Sequence, residues 1–288
     1  MDYGLVVLIE VLRAIAGLVL ISIGLAIIFG MMRIVNIAHG EFLMLGGYTV
    51  VLSAKAGINT WVAMLVLAPL VVGLVGVAIE RCFIRFLYGR MLDTLLATWG
   101  LSLFIVGFVT VVFGNTLEGV SVSVGSFEIG RFRVAGYSLF IILVGAVLLA
   151  ATVAVLRFTR LGLIARGTMQ NPNMAAALGL SPPRIYMVTF GIGAALTGLA
   201  GGVLAPITGV VPTMGIAFIA QAFITVITGG AAIVAGTGSA STLLGSVSQL
   251  TTFATTPVIG DVALLFIAVV LLRILPQGIT GRFFRRSL

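Results

Sequence analysis

Apolar residues run along this chain in long blocks separated by short polar segments. Residues 14–32, 61–79, 94–114, 137–156 and 185–207 are uncharged, mainly apolar stretches of about twenty residues, the length of helix that crosses a bilayer's hydrocarbon core. Four further blocks are weaker. Residues 42–54 and 262–272 are short, 216–235 is rich in Gly and Thr, and 240–256 is only mildly apolar. The pattern predicts an all-α polytopic integral membrane protein with eight or nine transmembrane helices, some broken or half-crossing. Between the blocks, Val120 to Val124 alternate between apolar and polar, and Phe127-Glu128-Ile129 alternates again after Gly125-Ser126, so a small β-hairpin is expected there. Every polar tract is short, and residues 1–288 read as a single transmembrane domain.

Composition supports the same class. Only 8% of residues are charged and 60% are hydrophobic, against about 25% charged in a soluble domain. The net charge of +8 comes from arginines in short clusters between apolar blocks. Arg81, Arg85 and Arg90 form one, Arg157, Arg160, Arg166 and Arg184 a second, and Arg282, Arg285 and Arg286 a third. An even number of spans between clusters puts all three on one side, which the positive-inside rule makes cytoplasmic. The loop at 157–184 is then cytoplasmic. The loop at 115–136, where Arg131 and Arg133 are offset by Glu118 and Glu128, is periplasmic. With nine spans the N-terminus is periplasmic; with eight it is cytoplasmic, and Glu10 and Arg13 lie on an interfacial lead-in helix. Met1-Asp2-Tyr3-Gly4 carries neither a basic leader nor a cleavage site, so the first apolar run is expected to be retained. No basic stripe interleaved with aromatics is present, and no nucleic-acid partner is expected. Cys82, the single cysteine, has no partner for an internal disulfide.

The chain also lacks the chemistry to drive uphill transport itself. A P-loop needs a lysine that reaches the terminal phosphates, and the single lysine, Lys55, sits in Ala54-Lys55-Ala56. Neither ATP hydrolysis nor any other enzymatic activity is expected. One histidine and one cysteine, far apart, supply no catalytic pair and no metal site. Ionisable residues are almost absent from the centres of the spans, whereas ion-coupled carriers usually hold them there. A stand-alone secondary transporter would have to couple through His39 and Glu41. A membrane-embedded structural subunit is the third reading.

Three segments carry functional signals. Asn36, His39 and Glu41 place three strongly hydrogen-bonding side chains within six residues between two apolar runs. Such a cluster braces a helix break, caps helix ends or lines a polar path. In the loop at 159–184, Asn171-Pro172-Asn173 gives a turn and cap, residues 174–178 read as a short helix, Gly179 fits its C-cap, and Ser181-Pro182-Pro183 stops it. Met174 and Leu178, one turn apart, suit docking into a partner's groove. An ordinary inter-helix loop fits the same spacing. In the C-terminal half, Ala194, Gly198 and Gly202 make a small-residue face for close helix packing. Gln221, Thr225 and Thr228 share one face of an apolar helix that ends in Gly229-Gly230; they suit a hydrated path or a subunit seam, unless the hydroxyls bond back to the backbone.

With these segments located, the sequence resembles the permease subunits of the branched-chain amino acid family of ABC importers over nearly its whole length. The resemblance rests on NIAHGE at 36–41, on RLG…R…NPNMAAALG at 160–179, on Gly229-Gly230 after a polar helix, and on RILPQGITGR at 273–282. It implies a transport subunit in a bacterial inner membrane that forms half of a translocation path. Its partners would be a second homologous permease, two cytosolic ATPases that bind ATP-Mg, a periplasmic substrate-binding protein and membrane lipid; the chain itself would bind no cofactor. Arg160, Arg166, Asn173, Met174, Ala175, Ala176, Leu178 and Gly179 would belong to the loop that couples to the ATPase. Branched-chain amino acids are the implied solutes. Tyr88-Gly89-Arg90, with residues 92–100, looks more like the urea and short-chain amide branch. The family often has a proline-containing turn after its glycine pair, and residues 231–238 here have none.

Overall fold

The blocks of apolar sequence become helices because each one closes its own backbone hydrogen bonds, the only arrangement besides a closed barrel that lipid tolerates. The structure is a computed structural model that describes residues 2–230 and 232–284. Arg285 and Arg286 of the third arginine cluster, and Ala231 of the turn after Gly230, lie outside the described residues. The helices are α1 (Asp2–Met32), α2 (His39–Lys55), α3 (Thr60–Val62), α4 (Ala68–Cys82), α5 (Met91–Phe113), α6 (Gly136–Phe158), α7 (Arg160–Gln170), α8 (Pro172–Ala177), α9 (Pro182–Thr208), α10 (Met214–Gly229), α11 (Ile233–Ala254), α12 (Pro257–Ile274) and α13 (Gly278–Phe284). A π-helical turn at Ala63–Leu67, next to Pro69, joins α3 to α4. Proline has no N–H to close the regular ladder there.

Among the described residues, six helical segments are long and apolar enough to cross a membrane, or seven if α10 and α11 count as one span bent by 115°. Counting the 17-residue α2 as well gives the expected eight with the bent pair as one span, or nine with its arms as two. The bend follows from the glycine pair, because Gly230 has φ +83°, open to glycine and closed to most residues. A hairpin forms in the expected loop but one strand later: residues 120–124 are not in a strand, and the second alternating run supplies the first strand. Ser126–Ile129 (β1) pairs antiparallel with Phe132–Ala135 (β2), with Ile129 opposite Phe132 across a two-residue turn at Gly130 and Arg131.

The described chain packs as two units. One comprises Ile23–Ser121 and Thr152–Ala220, with α9 as its centre. Lipid gives helices no hydrophobic reason to associate, so small residues that admit close backbone approach do the work. A side chain on Gly46 of α2 would strike the Gly198 carbonyl, one on Gly201 would strike the Leu43 carbonyl, and one on Gly76 of α4 would meet Ala194. Gly202 faces Val50, Met64 and Ala68. Within this unit, Lys55 pairs with Glu118 at 2.7 Å, and Glu118 forms a backbone bridge with Val210. The second unit comprises the N-terminus to Ser22, Val122–Ala151, and the chain from Gln221 on. Tyr3 packs on Phe132 of the hairpin and on Phe253, so α1 starts on the hairpin side. Gly145 abuts Ala16, and Gly245 abuts Ile15.

Gly46→Val is expected to destabilise the protein by about 3 kcal/mol or more, since a well-packed site must be forced open. Gly107→Ala, where an added methyl meets nothing, should be neutral or better. Thermal unfolding in detergent distinguishes the two, and equal melting temperatures would contradict the packing described.

Candidate functional site

Helix α1 stops at Met32 because Arg33 takes a left-handed conformation (φ 52°), a C-terminal cap that glycine usually supplies and that strains other residues by about 1–2 kcal/mol. Residues 33–38 are then non-helical, and α2 begins at His39. Unwound backbone inside a membrane protein must find partners. Here α5 supplies them. Its Thr98 hydroxyl accepts from the Ile37 N–H at 3.1 Å and faces the Val35 carbonyl at 3.3 Å. One turn further along α5, Ser102 donates to one oxygen of Glu41 at 2.7 Å. Thr197 of α9 lies 3.4 Å from His39 Nδ1. Thr94, Thr98 and Ser102 recur at four-residue spacing and are all buried, a polar stripe against the break.

All three sequence-predicted residues of this segment are buried at the break. Asn36 is fully buried, and Glu41 is 2% exposed. Neither atom of the Asn36 amide, nor the second Glu41 oxygen, has a partner among the described residues. Each unmet buried group costs about 1–3 kcal/mol. The Asn36 side chain caps no helix; its backbone carbonyl accepts from His39 N–H at 3.3 Å. The second Glu41 oxygen points at Gly215, the second residue of α10, where Gly40 and Gly215 meet backbone to backbone. The N-terminal turns of two helices thus converge on one carboxyl group. Thr98, Ser102 and Thr197 were missed by sequence reasoning; the 94/98/102 spacing was the available signal for two of them.

Gln221, Thr225 and Thr228 belong to the other unit. The Gln221 amide is 3.5 Å from Asp261, and Thr225 bonds back to the Gln221 carbonyl at 2.7 Å. Thr228 is buried without a partner among the described residues. At the break that follows, the Thr280 hydroxyl donates to the Gly229 carbonyl at 2.6 Å and accepts from the Ala232 N–H at 3.1 Å. The sequence motifs at Gly229-Gly230 and 273–282 therefore meet in space.

The loop at 159–184 folds as α7 and α8. Thr159 caps α7 through the Gly162 N–H, and Arg160 is exposed. Arg166 is half-buried, 3.3 Å from the Gly162 carbonyl. Asn171 caps α8 through the Met174 N–H at 2.9 Å, so the short helix starts two residues before its expected first residue. Asn173 and Ala176 are exposed, and Ala175 is buried. Met174 and Leu178 stand 58% and 75% exposed. Gly179, with φ +82°, closes the helix. At the preceding arginine-rich turn, the Tyr88 phenol donates to Glu80. Burial first, and Glu80 second, push its pKa well above the usual range, so it stays protonated. No cluster of three metal-ligating side chains occurs among the described residues.

Broken helices around buried polar groups, in an all-helical chain of many apolar spans, define a multi-pass membrane protein of transporter type. The chain belongs to the family described as the permease component of branched-chain amino acid transport systems, whose model matches residues 7–275. It is 28% identical to the high-affinity branched-chain amino acid transport system permease protein LivH of Salmonella typhimurium, with 91% of each chain covered. The permease protein BraD of Pseudomonas aeruginosa shows the same identity and coverage. The probable LivH of Methanocaldococcus jannaschii is 27% identical, with 92% of this chain and 88% of that one covered. No solved structure matches the chain.

Thr98→Val keeps the shape and removes both contacts to the unwound segment. It is expected to cost about 1–3 kcal/mol, with Thr98→Ser close to wild type. Thermal unfolding of the two variants checks this, and indistinguishable melting would show that Thr98 does not hold the break.

Proposed function

We propose that this chain is the permease subunit of an ATP-driven ABC importer for branched-chain amino acids. On this reading its two packing units act as one permease domain in a bacterial inner membrane. A second homologous permease supplies the other half of the path, and a periplasmic protein delivers the solute. The observation that carries the reading is full-length membership of the permease family in a chain without a nucleotide-binding motif, joined to an exposed two-point apolar anchor on α8. Two cytosolic ATPases holding ATP-Mg would supply the energy.

In the mechanism, closure of the ATPases pushes α8. That helix sits at the head of α9, with only residues 178–181 between them, so the push is passed to the helix against which α2 and α4 pack. The breaks at 33–38 and between α10 and α11 let short segments move without unwinding whole spans. Asn36, His39 and Glu41, with Gln221, Thr225 and Thr228, would line the path, while the delivery protein sets specificity. The relatives' names favour branched-chain amino acids as solutes, and the urea and amide branch is an arm of the test.

Proteoliposomes containing the chain, its partner permease, the ATPases and the binding protein are expected to take up labelled leucine on ATP addition and to leave labelled urea outside. Uptake by this chain alone under an ion gradient would overturn the ABC reading, and preferred uptake of urea would move it to the amide branch. Ala176→Asp should lower leucine uptake more than about tenfold, because a carboxylate buried at an apolar contact loses more than 1.4 kcal/mol. Co-purification of the ATPase should fall with it, and retention of both activities would remove α8 from the docking role. Glu41→Gln keeps an acceptor for Ser102 but removes the ionisable group. It should depress uptake with the complex still assembled, and unchanged uptake would leave Glu41 as bracing only.

A further inference from the structure

A groove of about 810 Å³ opens between α4 and α5, walled by side chains such as Val75, Ile79, Cys82, Phe86 and Phe104. Gly100 lies on its α5 wall, and a Cβ added there meets nothing. Along α5 the wall runs from Ala97 to Val109, about 18 Å at the helical rise. That length is close to the hydrocarbon depth of one leaflet, roughly 15 Å. An open apolar groove of this depth in a membrane-spanning protein fits a flexible chain better than it fits water.

The groove's end at the α4–α5 turn is also charged. Arg81 precedes Cys82 and Arg85 precedes Phe86, and both arginines are exposed. The Arg85 guanidinium sits 4.9 Å over the Phe86 ring, which holds it at the groove's wall. Neither arginine makes an ion pair among the described residues, whereas the neighbouring Arg90 is matched by Asp93 at 2.8 Å. Two unmatched guanidinium groups beside an apolar groove complement an anion carried on a hydrocarbon chain. Charge bias puts this turn at the cytoplasmic leaflet, where anionic lipids are exposed to such residues.

We propose that the α4–α5 groove is a binding site for an anionic phospholipid, with an acyl chain along α5 and the phosphate held by Arg81 and Arg85. The site adjoins the elements that hold the break at 33–38, since the α5 stripe of Thr98 and Ser102 continues into Ile105 and Val109 of the groove wall.

Cys82 is exposed in the groove and is the single cysteine, so a bimane label on it reports what lies there. The full-length protein, labelled and reconstituted in phosphatidylcholine, is titrated with brominated-chain phosphatidylglycerol or brominated-chain phosphatidylcholine. Half-quenching is expected at about tenfold lower mole fraction of the anionic lipid, the size that two partly effective arginine contacts give. Arg81→Gln with Arg85→Gln should remove that preference while leaving quenching by both lipids. Gly100→Leu should weaken quenching by both, and native mass spectrometry of the unlabelled protein should show matching loss of retained phosphatidylglycerol. Equal quenching by the two lipids in the unaltered protein would overturn the proposal. So would the absence of quenching by either once the partner permease is present, which would assign the groove to a protein helix instead.

Discussion

Six residues of non-helical backbone, set between two apolar helices, are the constraint around which one half of this molecule is arranged. In water such a segment would be solvated at little cost. In lipid each unmet N–H or carbonyl is expensive, so a neighbour must supply the missing partner. Thr98 does this with a single hydroxyl that faces a donor and an acceptor on either side of Asn36. The position of α5 is therefore tied to the break, and the polar stripe on α5 is polar because the break lies beside it. Ser102 extends the same logic to Glu41.

Around this fixed point the helices are held in two physically different ways. Helices α2 and α4 meet α9 through glycine and alanine contacts in which backbone touches backbone. Dispersion forces at such close approach are strong in sum and intolerant of change in shape. Helix α5 is held by a few directional bonds and stands off from α4 along an apolar groove. A transporter that must open and close needs both kinds of contact: a core that moves as one piece, and seams that can be remade with few bonds. The orphan polar atoms of Asn36, Glu41 and Thr228 lie beside the broken segments, where a change of partner costs least.

Much of this was legible in the sequence. Block length and charge were enough for the all-helical membrane class, since a run of twenty uncharged apolar residues has few other fates. Asn171, Pro172 and Gly179 signalled the boundaries of α8 because capping is local chemistry. The number of crossings was harder to read. Residues 216–235 and 240–256 each look like a weak span, and whether they are two crossings or one bent one depends on the Gly230 backbone and on contacts with Gly278, far along the chain. The partners of Asn36 and Glu41 were also hidden. Thr98, Ser102 and Thr197 are ordinary hydroxyl residues in apolar helices, and only the packing of three distant segments gives them a role. Asn36 looked like a helix cap from its position, but α2 starts three residues later and leaves its amide buried.

The Thr280 clasp has a consequence for how the protein is made. Its hydroxyl completes a turn whose carbonyl, on Gly229, was synthesised 51 residues earlier. At translation rates of about 5–20 residues per second, that carbonyl waits roughly 3–10 s for its partner. During this interval α10 and α11 are already long enough to enter the bilayer, yet the corner between them is unfinished. The corner is thus closed by a segment made well after both of its arms, and a chain truncated before Thr280 would leave helices inserted but the corner without its clasp.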